Sequence, residues 1–400
     1  MAQQASTANA NGPIYGGANN GALTNAGTVD ERRALYLKLF SGEMFKGFQH
    51  NTIARDLVTR RTLKNGKSLQ FIYTGRTKSE FHIPGQSILG NDEKTPPVAE
   101  KTITVDDLLI SSAFVYELDE TLAHYDLRGE ISRKIGYALA ENYDRRIFRA
   151  ISKAARQPSP VTMSGFVEPG GSVVKVGAAA STTAADAYDS GHLINAFYDA
   201  AAILDEKGVS GEGRVAVLNP RQYYALIQNV GTNGLINRDV QGTALQSGNG
   251  IIEIAGITIY KSMNIPFFGK FGTKTDMNPR ASNDNEGSFV GAAMGDQDSK
   301  LTPSNSNTQK TINNYGTAAK FANSCGLIFQ KEAAGVVEAI GPQVQVTSGD
   351  ISVVYQGDVI LGRLAMGADF LNPACAVELV AGIDVSSNFN NTAVSNASFS

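Results

Sequence analysis

The sequence predicts an α+β fold, in which strands and helices occupy separate stretches of the chain. Leu69, Phe71 and Tyr73 alternate with polar residues, which is the period of a strand with two unlike faces. A second alternating run follows at Lys101–Val105. Between residues 127 and 151, by contrast, apolar residues recur every three or four positions, which is typical of one face of a long helix. A chain of 400 residues with 42% hydrophobic content exceeds one average domain and can bury a proper core.

The first two strands are predicted to form an extended ribbon. Gly75-Arg76-Thr77 and then Pro84-Gly85 interrupt the run that starts at Gly66, because glycine permits positive φ and proline lacks a backbone donor. No helical pattern accompanies the two strands to cover them. A lone two-stranded ribbon is only marginally stable in water. We therefore expect this ribbon to lie on another subunit.

The long helix begins after Asp126, a good N-cap residue, and is expected to reach about Ala155. Glu141, Arg145 and Arg149 follow at intervals of four and predict a more polar face. Two further helices are predicted, one at Ser190–Leu204 and one that begins at Asn219-Pro220. Residues 157–188 are expected to be rich in loops. The remaining strands are predicted at Arg214–Leu218, Ile251–Lys261 (two strands in a tight hairpin or bend at Gly256), Gly326–Phe329, Gly335–Leu364 and Pro373–Leu379.

The two ends and one internal stretch have compositions that cannot bury enough apolar surface to order by themselves. Residues 1–29 carry no charge and are rich in Ala, Asn and Gly, as expected for an arm that orders only on assembly. A short helix is plausible between Glu31 and Phe48. Residues 265–320 are dominated by Gly, Asn, Ser and Thr and predict a long surface loop. The tail from Val385 carries no charged side chain and is again rich in Asn and Ser.

Charge is distributed unevenly along the chain, although the formal net charge is only −3. Residues 31–101 hold 13 Lys and Arg against 7 Asp and Glu, a net charge of +6. Residues 102–400 hold 22 against 30, a net charge of −8. A basic arm on an acidic body suits head-to-tail packing of identical copies, but two solvated surfaces that never meet would give the same numbers.

The sequence patterns contain no catalytic, cofactor or metal motif. Asn65-Gly66-Lys67-Ser68 ends like a phosphate-binding loop, but Arg61 stands where that motif needs its first glycine. The four histidines are scattered, so we expect no metal, no cofactor and no enzymatic activity. Cys325 and Cys375 lie in apolar contexts and predict buried free thiols. No signal peptide and no membrane-spanning run are expected, and the product is expected to be soluble in a reducing cytoplasm.

Several blocks in the chain resemble a known family. The block GKSxQFxxxGRT at 66–77, followed by Phe81, Pro84 and Gly85, resembles the extended loop of podovirus major capsid proteins of the T7 type. The resemblance continues through Ala123–Arg128 and the helix after it, and again in Asn323–Leu379. These motifs occur in the order that the family has, and the resemblance covers about two thirds of the chain.

The resemblance implies an HK97-like phage capsid fold whose long helix is the spine helix of the peripheral domain. The parts would be an N-terminal arm (1–55), an extended loop (56–112), a peripheral domain (113–188, completed by about 336–371), an axial domain (189–335, completed by about 372–384) and a flexible tail (385–400). The protein would be a major capsid protein of the virion, made in the host cytoplasm. It would self-assemble into pentamers and hexamers of an icosahedral shell enclosing double-stranded DNA.

The implied partners are other copies of the chain, a scaffolding protein during assembly, a portal protein, and packaged DNA through weak non-specific contact, with no membrane. The candidate inter-subunit contact residues all lie in the ribbon region: Lys67, Phe71, Arg76, Lys78, Phe81 and Pro84. Some capsids of this fold join an arm lysine to a neighbour's asparagine, but a lone lysine is unreactive unless its site lowers its pKa, so we expect no such cross-link. The alternatives are a virion surface adhesin or receptor-binding protein, and a soluble hydrolase.

Overall fold

A computed structural model describes a little more than half of the chain. The described residues are 53–77, 79, 81–87, 96, 98–106, 108–116, 118, 127–160, 162–163, 166–177, 184–227, 252–262, 264–265, 313, 315, 324–346 and 356–381. The predicted arm over 1–29, the helix near Glu31–Phe48, the cap at Asp126 and the tail lie outside them, as does nearly all of the predicted loop 265–320. The chain divides into two compact units. The smaller contains Leu108–Glu141 and Ile340–Ala365, and the larger contains Thr52–Asp107, Asn142–Ala339 and Met366–Ser400.

The larger unit is built on a six-stranded mixed sheet. Its strands lie in the order β7, β14, β11, β8, β10, β9. These strands span Ser172–Lys175 (β7), Arg214–Leu218 (β8), Ile252–Ile254 (β9), Ile257–Lys261 (β10), Ser324–Gln330 (β11) and Ala376–Val380 (β14). β11 is antiparallel to both β8 and β14, whereas β8–β10 and β14–β7 are parallel pairs. All five residues of β8 are buried, which confirms the predicted buried strand.

Two helices accompany this sheet, α3 (Ser190–Glu206) and α4 (Pro220–Ile227). Asp189 caps α3, because its carboxylate accepts the N–H groups of Gly191 and His192. The apolar positions of α3 recur at helical spacing, and Leu193, Phe197 and Leu204 are fully buried. The predicted bend at Gly256 is a tight hairpin between β9 and β10. Ala255 and Gly256 both have positive φ there, as a two-residue hairpin turn requires.

The long predicted helix is present as α2, Leu127–Ala155. Its apolar stripe is buried as expected, including Ile147 and Ile151. Arg145 and Arg149, predicted on a more polar face, are only 5% and 4% exposed, so this charged face is buried. The part of α2 in the larger unit is covered on every side. The charged face is buried together with partners rather than solvated.

The other elements of the larger unit precede and follow this helix. A single-turn helix, α1 (Ala54–Leu57), leads into β1 (Thr59–Thr62), which pairs in parallel with the start of β12 (Ala334–Val346). β2 (Ser68–Thr74) and β3 (Val98–Thr104) form the predicted ribbon. The stretch predicted as loops contains two short strands, β5 (Thr162–Met163) and β6 (Phe166–Val167), as well as β7, which the sequence pattern missed.

The smaller unit contains an antiparallel strand pair and the first part of α2. β4 (Leu109–Tyr116) pairs with β13 (Gly357–Phe370) from Leu109↔Leu364 to Tyr116↔Gly357. Gly362 lies where a Cβ would come within 2.4 Å of Ile135 and 2.9 Å of Leu139. A glycine is therefore required there for the helix to approach the strand pair so closely. The predicted domain boundaries stay a prediction.

Candidate subunit-contact surface

The β2–β3 ribbon has two faces of different exposure. Its seven residue pairs run from Ser68↔Thr104 to Thr74↔Val98. The side chains of Phe71 and Ile103 are 9% and 0% exposed, whereas those of Ser68, Gln70 and Ile72 are exposed. The alternation predicted from the sequence is therefore confirmed, with β3 beginning three residues earlier than expected.

The inner face of the ribbon packs on its own chain. The Arg61 guanidinium lies 4.9 Å from the centre of the Phe71 ring. Lys101 contacts Asp369 at 2.7 Å, and its ammonium group lies 3.8 Å from the centre of the Phe370 ring. No helix was expected over the ribbon, and the contacts of this face with its own chain come from two strands, β1 and the end of β13. The alternation showed two unlike faces, but contacts more than 250 residues apart in sequence decide what covers one of them.

The loop end of the ribbon is fastened to the rest of the larger unit through Glu168. The carboxylate of Glu168 accepts the backbone N–H of Arg76 and, at 3.3 Å, the hydroxyl of Tyr73. The Arg76 Nε lies 3.8 Å from the same carboxylate, and its Nη2 donates to the carbonyl oxygen of Lys207. Burial, followed by the nearby Glu168 carboxylate, raises the pKa of Tyr73 to about 12. Arg76 thus has partners within its own chain, and its contact with a neighbouring copy stays a prediction.

The outer face and tip of the ribbon expose large apolar side chains. Ile72 is 75% exposed and Val98 is 63% exposed. Because Val98 pairs with Thr74, it is the diagonal neighbour of Ile72 on the same face. Beyond β2, Phe81 is 100% and Ile83 59% exposed. Exposed apolar side chains that lie next to each other, as Ile72 and Val98 do, are typical of a surface that contacts another molecule.

The other predicted contact residues occupy different positions around the ribbon. Lys67 is exposed at the start of β2, and its carbonyl accepts the N–H of Val105 at 2.8 Å. Pro84 is exposed in a turn closed by a hydrogen bond from Gln86 N–H to the Ile83 carbonyl. Phe71 lies on the inner face and is buried within its own chain. Lys78 lies outside the described residues.

A charged cluster fixes the segment that follows the predicted N-terminal arm. Arg55 donates twice to the Glu338 carboxylate, at 3.1 Å each, and the Tyr143 hydroxyl donates to it at 2.6 Å. Arg60 lies 3.8 Å away. Burial would raise the pKa of Glu338, but the hydrogen bonds from Arg55 and Tyr143 outweigh it and hold the pKa below its ordinary value. This cluster holds α1 and the start of β1 against β12 within the larger unit.

A cleft of about 560 Å³ lies beside the loop end of β2, and Arg76, Glu168, Lys207 and Cys375 are among its lining residues. The Lys207 ammonium is buried and has no hydrogen-bond partner among the described residues. Burial lowers the pKa of Lys207 to about 8. Because the folded pKa lies below the ordinary value of 10.5, the subunit gains stability as the pH rises from about 8 towards 10.5.

Replacing Lys207 with methionine should therefore stabilise the dispersed subunit at pH 7. The thioether keeps the length of the side chain and removes the unpaired donor, so we expect a gain on the order of 1 kcal/mol. Urea unfolding at pH 7 and pH 10 would measure it, with Lys175→Met, which removes an exposed ammonium group, as the control. The gain should shrink at pH 10. A Lys207→Met variant less stable than wild type at pH 7 would contradict this assignment.

No group of three or more potential metal ligands occurs within the described residues. The predicted buried free thiols are confirmed, since Cys325 and Cys375 are both free and buried. Burial raises the pKa of Cys375 to about 12 and that of Cys325 further above its ordinary value. Both groups are therefore protonated and unreactive at neutral pH. Within the described residues, no helix is long and apolar enough to cross a bilayer.

The sequence interpretation missed the acidic residues that hold this surface in place, Glu168 and Glu338. Both are almost fully buried, and each pairs with a cation distant in sequence. A lone glutamate in an apolar stretch such as Val336-Val337-Glu338 is the signal that could have indicated a buried ion pair, because an unpaired charge is rarely buried.

Comparison with known proteins identifies the family. The model of the Gp10A-like family, described as a major capsid protein, matches residues 70–380. The chain belongs to this major capsid protein family. The family match begins within the ribbon and includes the six-stranded sheet. It decides between the three interpretations of the sequence in favour of the capsid protein.

Individual relatives agree with the family match. The capsid protein is 24% identical to the major capsid protein of Enterobacteria phage T3 over 373 residues. This alignment covers 92% of this chain and 97% of the T3 protein. The capsid protein is 31% identical over 143 residues to the major capsid protein of Escherichia phage T7, covering 35% of this chain and 41% of that protein. The capsid structure of Cyanophage P-SCSP1u matches with a TM-score of 0.64 and 30% identity, covering 92% of this chain and 99% of that chain.

These findings confirm the predicted T7-type resemblance and the HK97-like α+β fold. The chain is a major capsid protein of a phage virion, and its copies associate into the capsid shell.

Proposed function

We propose that the capsid protein assembles as pentamers and hexamers of an icosahedral shell around double-stranded DNA, with the ribbon of each copy lying on a neighbouring copy. One observation carries this proposal. The outer face of the ribbon exposes Ile72 and Val98, and the segment beyond it exposes Phe81 and Ile83, while the inner face is already covered by its own chain. Burial of these four side chains needs a second molecule.

Burial of this face would supply much of the association free energy. A large apolar side chain moved from water into an interface stabilises by about 1.5–3 kcal/mol. Association loses translational and rotational freedom, so a single ribbon contact is weak. A closed shell repeats the contact at every copy, and that repetition makes the assembly stable.

The remaining partners follow from the same proposal. The basic segment 31–101 and the acidic remainder support contacts between copies. A scaffolding protein would guide assembly, and a portal would occupy one vertex. Contact with the packaged DNA would be weak and non-specific, because tight phosphate binding by every copy would hinder packaging and release. The subunit would act by association and have no enzymatic activity of its own.

Imaging the purified protein tests this proposal. At raised protein concentration, or with scaffolding protein, negative-stain electron microscopy should show closed shells or tubes. Ester, nucleotide and glycoside substrates should show no turnover above background. Fibres would indicate an adhesin instead. A stable monomer that hydrolyses one of these substrates and never assembles would overturn the proposal.

A further inference from the structure

A short basic turn connects β1 and β2. Six cations and no acidic residue occur between Leu57 and Ser79. Arg61, Lys64 and Lys67 in this stretch are all exposed. Arg60 forms an ion pair with Glu338. Lys64 and Lys67 form no ion pair with any other residue that the structure describes. We call Arg61, Lys64 and Lys67 the basic turn.

The outer face of α3 has the opposite charge. Tyr198, Asp199 and Glu206 are exposed along one side of this helix, and no Lys or Arg occurs from Ser190 to Glu206. Among the described residues, neither Asp199 nor Glu206 has an ion-pair partner, whereas the adjacent Asp205 pairs with Arg214 at 2.7 Å. We call Tyr198, Asp199 and Glu206 the acidic helix face.

Two physical features indicate that the acidic helix face meets a cation. Glu206 lies in the last turn of α3, where the helix dipole already places partial negative charge, so its carboxylate is destabilising without a positive partner. Tyr198 is 44% exposed next to Asp199, at one edge of this face. An exposed aromatic ring with a polar tip is typical of the centre of a protein interface.

From this complementarity we propose that the acidic helix face of one copy docks on the basic turn of a second copy. The inference rests on the proposed self-assembly and names the surfaces that meet. Contact between two different surfaces of identical copies is head-to-tail, which is the arrangement that builds closed rings when the rotation closes. Both faces are exposed within the described chain, so the contact requires no unfolding.

The protein surface is favoured over nucleic acid as the occupant of the basic turn. Every copy of the chain carries both the basic turn and the acidic helix face. In an assembly of identical copies, one acidic helix face is therefore available for each basic turn. The basic turn lacks the aromatic platform that binds single strands and the helix that would enter a groove. Phosphate binding is therefore the competing outcome of the test.

Charge reversal with rescue tests the contact in the full chain. Lys64→Glu with Lys67→Glu should reduce the yield of assembled particles at low salt at least about tenfold, since like charges then face each other. Asp199→Lys with Glu206→Lys should do the same. The four substitutions combined should restore at least about half of the wild-type yield, because the charges are complementary again but exchanged.

The control is Lys175→Glu with Lys331→Glu, which changes the net charge by the same amount at exposed lysines elsewhere and should leave assembly unchanged. Urea unfolding of each dispersed variant reports whether the subunit folds. Should a reversal variant not fold, the neutral pairs Lys64→Gln with Lys67→Gln and Asp199→Asn with Glu206→Gln replace it. Each neutral pair should lower the yield and weaken its salt dependence.

Three outcomes would overturn the inference while leaving the proposed function intact. The first is wild-type yield from either reversal variant. The second is failure of the four-fold variant to recover when both parents are impaired and folded. The third is normal assembly of the Lys64→Glu, Lys67→Glu variant with loss of binding to a short duplex DNA probe, which would assign the basic turn to nucleic acid. Absence of assembly by the wild type would instead contradict the proposed function itself.

Discussion

Arg156→Met is expected to lower the free energy of unfolding of the dispersed subunit by about 3–5 kcal/mol, the cost of leaving a buried charge without its partner. Arg156 follows α2 and donates through Nε and, at 2.6 Å, through Nη2 to the Glu378 carboxylate. The two side chains are 2% and 0% exposed. Glu378 lies in β14, between β7 and β11 of the six-stranded sheet, so the variant would leave a buried carboxylate without its partner.

A double-mutant cycle separates this effect from a simple packing defect. Combining Arg156→Met with Glu378→Leu should recover most of the loss, because two apolar groups of similar size can replace a buried ion pair nearly without cost. Lys331→Met, at an exposed position, serves as the control and should change stability by less than about 0.5 kcal/mol. Urea unfolding measures all four variants. A loss below about 1 kcal/mol for Arg156→Met would show that this pair does not fasten α2 to the sheet.

Arg76→Glu should abolish assembly or slow it strongly while the subunit stays folded. The Arg76 side chain is 55% exposed, so the core does not depend on it. The new carboxylate would face Glu168 and lose the hydrogen bond to the Lys207 carbonyl, which releases the loop end of the ribbon. One such contact is worth about 1–3 kcal/mol, and a shell repeats the loss at every copy.

Arg76→Lys should give an intermediate yield, because it keeps the charge and loses the planar fork of donors. Lys175→Glu, which reverses an exposed charge away from the ribbon, should assemble normally. Sedimentation gives the particle yield of each variant, and urea unfolding confirms that each subunit is folded. Assembly of Arg76→Glu at the wild-type rate and yield in low salt would show that assembly does not depend on the charge at this position.

Local patterns predicted the elements of the fold well. The two-residue alternation from Leu69 to Tyr73 and the helical spacing in α2 and α3 come from neighbours in sequence, and the structure contains all three elements. The hairpin at Gly256 was predictable for the same reason, because turn conformation is decided by the turn residues themselves.

The contacts that position the ribbon could not be predicted from local patterns. Lys101 meets Asp369, and Tyr73 meets Glu168, across long stretches of chain whose approach only the tertiary fold decides. Burial of Arg145 and Arg149 was missed because helical spacing shows that a face is charged but not whether another element covers it. β7 was missed since a four-residue strand between glycines is too short for a clear period.

Cryo-electron microscopy of assembled particles tests the central claim most directly. We expect a reconstruction to show the ribbon of each copy lying on an adjacent subunit, with Ile72, Val98 and Phe81 buried against it. A closed shell in which these three side chains face solvent, or contact only their own chain, would contradict the proposal that the ribbon holds neighbouring subunits together.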